Sequence, residues 1–239
     1  MSLHSERRPD GLLWLTLDRP QAANALNQAM QDALVAAFAA AATDQAIRAV
    51  VLTGAGGRVF SAGADLREDL GHPAEAAKKL RRSLLMHSLL AVLDLPKPLV
   101  ALLRGKAVGG GTMLALLADE VVMGESASLA MPEIALAIPS PIGLAIIAAR
   151  GGRATAHGLV QANRPMAAAA ALAAGLADAV RPDAALDAEA ADRALRLGGF
   201  DAAAFATNKA WLNADLRQSL LLAAAAAEAA HAEDPQDDH

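Results

Sequence analysis

The chain predicts a mixed α/β fold in which a mostly parallel, covered sheet is followed by a helical C-terminal region. Three observations lead there. Short apolar runs alternate with helix-length amphipathic segments along the first part of the chain. Those runs are nearly continuous in Val, Leu and Ala, as strands covered by helices require. Beyond Pro141 alanine-rich helical segments take over, with no strand signal except at Ala179-Val180. The chain therefore divides into a β/α core, residues 1–140, and a helical region, residues 141–239.

The elements follow in order. Leu12 to Leu17 is a β-compatible run that stops at Asp18-Arg19-Pro20. Asn27 is placed to cap a helix carrying Met30, Leu34, Phe38 and Ala41 at helical spacing, closed at Thr43-Asp44. Ile47 to Gly54 reads as a buried strand entering a glycine-rich turn, and Gly63 to Gly71 as a loop rich in charge. A helix from Ala76 to Leu93 halts before Pro96-Lys97-Pro98, and Leu99 to Leu103 is a second buried strand. Gly105 to Gly111 forms a turn into a short helix ending near Ala118, after which Glu120 to Met123 is strand-like. In the C-terminal region, breaks are expected at Gly151-Gly152, Arg164-Pro165, Gly175 and Gly198-Gly199.

Composition removes several classes of function. The 239-residue chain is 54% hydrophobic, yet it lacks the polar-free run of about 18 residues that a membrane span needs. Met1 to Asp10 is polar and holds no signal-peptide core, so a cytoplasmic protein is expected. Without cysteine there is no thiolate chemistry. A net charge of −5, 3% aromatic residues and no tyrosine disfavour nucleic acid as a partner. No Gly-x-Ser-x-Gly elbow supports a serine hydrolase, and Gly54-Ala55-Gly56-Gly57 does not fit a dinucleotide fingerprint. No His/Asp/Glu cluster has metal-ligand spacing, so no metal is expected.

What remains is Gly109-Gly110-Gly111 at the start of an apolar helix. Three glycines at a helix start imply that the backbone approaches something closely: either the sheet, in tight helix-on-sheet packing, or an anion or developing oxyanion, which the free N–H groups there would suit. In a βαβ sheet the loops at the carboxyl ends of strands share one rim. Two other loops should meet the glycines there: Val59 to Leu66, and Leu129 to Ile134 with its single carboxylate, Glu133.

These segments resemble the enoyl-CoA hydratase/isomerase (crotonase) family. The likeness rests on Asp18-Arg19-Pro20, Asn24-Ala25-Leu26, Phe60 to Leu66, Lys97-Pro98, Gly105, Gly109 to Gly111, Ala118-Asp119 and Pro132-Glu133, in that order, and covers about Leu12 to Trp211. It implies a crotonase-like fold, a ββα-repeat core with a helical C-terminal region that serves trimerisation and covers the active site. It also implies an acyl-CoA substrate, with coenzyme A entering as part of the thioester and no separate cofactor, and a homotrimer or hexamer. The thioester oxygen would lie between the N–H groups of Ala64 and Gly110, with Glu133 as acid–base. Arg19, Ala22, Ala23, Ala62, Asp65, Leu66, Arg67 and Lys97 match CoA-binding positions, with Lys209 as a further cation. Met113, Pro132, Pro141 and Ile142 would line the acyl pocket.

The chain also departs from its relatives. Hydratases of the family carry a second glutamate where this chain has Met113. Isomerases that move a double bond from position 3 to position 2 resemble it better, so an isomerase is favoured. A hydratase, or a catalytically weakened acyl-CoA-binding scaffold, is the alternative. Glu68 or Asp69 would supply a second carboxylate if their loop turned inward. Ile138 to Leu144 replaces the family's glycine-rich turn with a stiffer one, and the acidic stretch Glu233 to His239 stands where many relatives have a basic helix.

Overall fold

The computed structural model describes residues 2–232. Its main sheet has six strands in the order β1-β2-β3-β5-β7-β10: β1 (Leu3–Arg7), β2 (Leu12–Leu17), β3 (Ala49–Gly54), β5 (Leu99–Leu103), β7 (Glu120–Gly124) and β10 (Ala179–Arg181). All pair in parallel except β1, which runs antiparallel to β2 at the edge. A second sheet holds β4 (Val59–Ser61), β6 (Lys106–Val108), β8 (Ser128–Ala130) and β9 (Met166–Ala167). Each strand of the first three pairs, β3–β4, β5–β6 and β7–β8, hands the chain from the main sheet to the small one through a short turn. This doubling is the structural form of the ββα repeat.

The apolar runs divide strictly by parity. Leu13, Leu15, Leu17, Val50, Leu52, Ala101, Leu103, Val121 and Met123 face one core, with Met30, Leu34, Phe38 and Leu89 of the helices against them. Leu12, Trp14, Val51, Val100, Leu102 and Val122 face the other, covered by Leu186, Ala190 and Ala194 of α6 (Leu186–Leu197). Both faces of the sheet are dry, which is why these strands read as unbroken hydrophobic runs. The helices on the first face are α1 (Gln28–Thr43), α2 (Ala74–Asp94), α3 (Gly110–Leu116) and α4 (Pro141–Ala156). As expected, Asn27 caps α1, its side chain accepting from Met30 N–H at 3.1 Å.

Several local expectations are corrected. The strands β1, β4, β6, β8 and β9 do not stand out in the sequence, because three of them are only three residues long and β9 only two. β1 is a largely exposed edge strand with the polar sequence Leu-His-Ser-Glu-Arg. The break at Gly151-Gly152 is present as expected: α4 is two helical pieces joined by a kink at Gly152, whose φ of +80° and ψ of 167° are non-helical. Beyond Gly198-Gly199, α7 (Ala202–Ala232) is one long helix lying against α4 and α2. The acidic stretch Glu233 to His239 lies outside the described residues. No described helix is long and apolar enough to cross a membrane.

Candidate active site

The first wall of the site is made by two loops bonded chain to chain. Leu26 N–H donates to Gly63 O (2.8 Å), Asp65 N–H to Leu26 O (3.1 Å) and Ala62 N–H to Ala23 O (3.0 Å). Asn24 holds the turn from within: fully buried with φ +52°, it donates from Nδ2 to Ala55 O and Val59 O and accepts from Arg19 N–H. Ser61 is equally committed, donating to Asn24 O and accepting from Gly63 N–H, which leaves it no freedom as a nucleophile. Arg19 donates to Ala25 O and to Asp65 Oδ2 (2.8 Å), while Asp65 Oδ1 accepts from Arg67 N–H. Burial works against the ionised form of Asp65, but these bonds keep its pKa below the usual carboxylate value.

The second wall is the start of α3. Thr112, buried in the first turn, donates its hydroxyl towards Ala107 O and Ala130 O, tying α3 to both β6 and β8. Gly109 N–H donates to Ala130 O at 2.8 Å. The two walls touch at glycines. Gly63 has φ +83°, and a Cβ there would stand 2.7 Å from Val108 O and 3.1 Å from Gly110 N. A Cβ on Gly110 would stand 3.7 Å from Ala64 N and 3.1 Å from a methyl of Leu85 on α2. The N–H groups of Ala64 and Gly110 are therefore neighbours beneath Leu85. Among the described residues neither donates a hydrogen bond, while those of Gly63, Asp65, Gly109 and Met113 are all spent.

Glu133 comes to the same place from β8. It begins the 3₁₀ turn Glu133–Leu136, and its Oε1 lies 2.6 Å from where a Cβ on Gly109 would stand. Gly109 adopts φ +53° and ψ −122°, so glycine is required there by backbone conformation as well as by the carboxylate. Glu133 is half-buried; Oε2 is shielded from solvent and has no hydrogen-bond partner among the described residues. Burial pushes its pKa up from the ordinary glutamate value, opposed only by its own backbone N–H. Raised pKa and an uncommitted oxygen are the properties of a proton-transferring carboxylate. Beyond it, Met113 is buried and apolar. Its Cε and the buried, unpartnered Oγ of Ser140 lie 3.1 and 2.7 Å from the position of a Cβ on Gly143, where Met131 also packs.

The structure brings Ala64, Gly110, Glu133 and Met113 together, with Ala62, Asp65, Leu66 and Arg67 on the adjoining loop and Arg19, Ala22 and Ala23 behind it. Pro132 precedes Glu133, and Pro141 and Ile142 open α4 beside Gly143. Two cations lie elsewhere. Lys97 precedes β5, at the amino ends of the strands, and donates to Asp44 O at 2.6 Å. Lys209 is buried and donates to Asp119 Oδ2 (2.7 Å) and Lys97 O (3.0 Å), while Asp119 Oδ2 also accepts from Leu99 N–H. Nor does the acidic loop turn inward. Glu68 accepts from Gln28 N–H at the start of α1, and Asp69 from Gly71 N–H. Sequence reasoning missed Leu85, Ser140 and Arg81, which donates to Asp65 O and Glu68 O to pin the loop. Leu85 lies within the helix expected from Ala76 to Leu93, but nothing local marks any of the three as part of a site. Among the described residues no group of His, Asp and Glu is placed to hold a metal ion.

Comparisons with known proteins identify the family. The profile of a family described as enoyl-CoA hydratase/isomerase matches residues 7–239. A 2,3-dehydroadipyl-CoA hydratase of Escherichia coli is 46% identical over 131 residues, 55% of this chain and 50% of that protein. A carnitinyl-CoA dehydratase of Salmonella enteritidis is 40% identical over 137 residues, 57% of this chain and 51% of that protein. The matched stretch thus spans about half the length of these curated relatives. A crystal structure of an enoyl-CoA hydratase from Bacillus anthracis superposes with a TM-score of 0.85 at 28% identity, covering 98% of this chain and 92% of that one.

Proposed function

The chain belongs to the enoyl-CoA hydratase/isomerase family, and we propose that it moves a proton at the α carbon of an acyl-CoA thioester, with Glu133 as its only acid–base group. One observation carries the reading: a half-buried carboxylate with a raised pKa and an unpartnered oxygen lies against Gly109, beside two neighbouring backbone N–H groups that donate to nothing in the protein. The thioester oxygen is held between Ala64 and Gly110 N–H. Negative charge grows on that oxygen when C2 loses its proton, so fixed amides stabilise the enolate more than the substrate. Backbone donors do this without any reactive side chain.

The reaction this site serves best is a double-bond shift. The Glu133 carboxylate takes a proton from C2 of a 3-enoyl thioester, and the electron pair passes into the carbonyl as a dienolate. C4 then takes the proton back from the Glu133 carboxyl group, leaving the double bond between C2 and C3. One carboxylate suffices, and buried Met113 keeps the far side of the site apolar. A second reading, water addition or removal, is favoured by the hydratase and dehydratase names of the relatives and by Ser140, whose buried, unpartnered Oγ lies close to Met113 across Gly143 and could hold the water.

The test supplies 3-enoyl-CoA and 2-enoyl-CoA separately and follows double-bond migration against water addition. Migration should dominate in the wild type, and hydration should gain in Met113→Glu. Preferential hydration by the wild type would replace the first reading with the second. Absence of both, with the thioester still bound, would leave only a binding protein.

A further inference from the structure

Arg82 lies one helical turn before Leu85 on α2 and is half-buried. Its Nε is shielded from solvent without a hydrogen-bond partner, and among the described residues none of its guanidinium nitrogens makes a hydrogen bond or an ion pair. Among the half-buried arginines this is unusual, although Arg150 Nε is also shielded and unpartnered. Arg19 is spent on Asp65, Arg150 on Asp178 and Ala118 O, and Arg193 on Glu120 and Glu189. A guanidinium presents five donors and cannot shed its charge, so leaving one part-buried and unpaired is costly.

Its place on the helix says what would pair with it. Residues three and four before Leu85 straddle it on the helix surface. Arg81 takes one side and bonds Asp65 O and Glu68 O on the loop after Ala64. Arg82 takes the other, in line with Met86 and Leu89, both buried. It therefore stands about 5 Å along the axis from the residue that covers Gly110, at the end of a stripe whose other members are packed in the core. An acyl chain held by its carbonyl under Leu85 and extended along α2 would bring an anion at its far end to this unpaired fork.

We infer that Arg82 binds the distal carboxylate of the acyl group, so that this protein prefers CoA thioesters of short dicarboxylic acids to neutral ones of equal length. The inference rests on the thioester placement proposed above. A distal carboxylate fits better than a CoA phosphate. Arg67, exposed on the loop after Ala64, can meet phosphates that stay solvated, whereas a shielded Nε suits a group that enters with the acyl chain.

The experiment compares hexenoyl-CoA with its ω-carboxy counterpart in the wild type, Arg82→Met and Arg82→Lys. The wild type should favour the carboxylated thioester by about tenfold or more in kcat/KM, mainly through KM. In Arg82→Met that ratio should fall to about one, and Arg82→Lys should restore part of it. Calorimetric binding of adipyl-CoA and hexanoyl-CoA gives the same comparison without turnover, so failure of the reaction assignment and failure of this inference show separately. Equal affinity of the wild type for the two would overturn the inference. A loss in Arg82→Met shared by both thioesters would overturn it too, assigning Arg82 to the CoA phosphates.

Discussion

At the amino end of α3 the Glu133 carboxylate rests against Gly109 with one oxygen shielded and unpartnered; at the other end Asp119 shares its charge with Lys209 and takes a further bond from Leu99 N–H. Both are acidic side chains near the same short helix. The loop 133–140 gives Glu133 no cation, so burial raises its pKa. The C-terminal region gives Asp119 an ammonium group through α7, and Lys209 itself is only 4% exposed. The second arrangement joins α7 to the β/α core and is complete as it stands. The first is incomplete within the protein, as an acid–base group must be if it is to act on something else.

Glu133→Gln and Lys209→Met should therefore fail in opposite ways. Replacing Glu133 removes the proposed acid–base group and should lower kcat by about 10²–10⁴-fold, with thermal stability at neutral pH kept or increased. Replacing Lys209 strands Asp119 in a largely buried site and should cost about 3 kcal/mol of unfolding free energy. Activity per folded molecule should then fall far less than in Glu133→Gln. Paired denaturation curves and initial rates decide it; a Glu133→Gln protein that unfolds easily and a Lys209→Met protein that is stable but inert would reverse the assignment of the two ends.

Gly109→Ala sharpens the comparison from the backbone side. Its Cβ would need the space of Glu133 Oε1, and its φ of +53° would be strained for any other residue. Both the carboxylate and the adjoining Gly110 amide would shift, so kcat should drop by about 10²–10³-fold, the range seen when a single oxyanion donor is lost. Thermal stability should fall as well. Retention of full rate in Gly109→Ala would mean that neither group needs its present position.

The main sheet was legible because its strands are dry on both faces. Parity arguments could not assign each face, but continuous apolar runs located β2, β3, β5 and β7. The small sheet was not legible, since strands of two or three residues leave no periodicity to read, and its pairing is decided by turns such as Gly105 packed on Arg58. At the site the pattern is similar. Three glycines at a helix start and a lone glutamate among apolar residues marked Gly109 to Gly111 and Glu133, whereas Ala64 was named only through the family resemblance. Cations were harder to assign: Lys97 and Lys209 occupy the opposite side of the molecule from the glycines, bound to Asp44 O and Asp119, because nothing in a lysine's neighbours in sequence tells which edge of a sheet it will reach.

The pH dependence distinguishes the two ends most finely. Glu133 must be ionised to take a proton from C2, and its pKa in the folded protein lies above the ordinary glutamate value because the charged form is poorly solvated. The acid limb of kcat/KM should accordingly fall at higher pH than an exposed glutamate, near pH 4.3, would give. Stability carries the same shift with a fixed sign. A carboxyl group whose pKa is raised by folding favours the folded state while protonated, and that contribution is lost as pH rises through the raised value. Against the wild type, Glu133→Gln should thus gain stability across that interval and keep the gain at neutral pH. Below about pH 4, where the wild-type carboxyl is protonated in both states, the difference should close. Denaturation midpoints for the two proteins at successive pH values measure it, and a difference that widens towards acid would mean that Glu133 has a cationic partner in the folded protein.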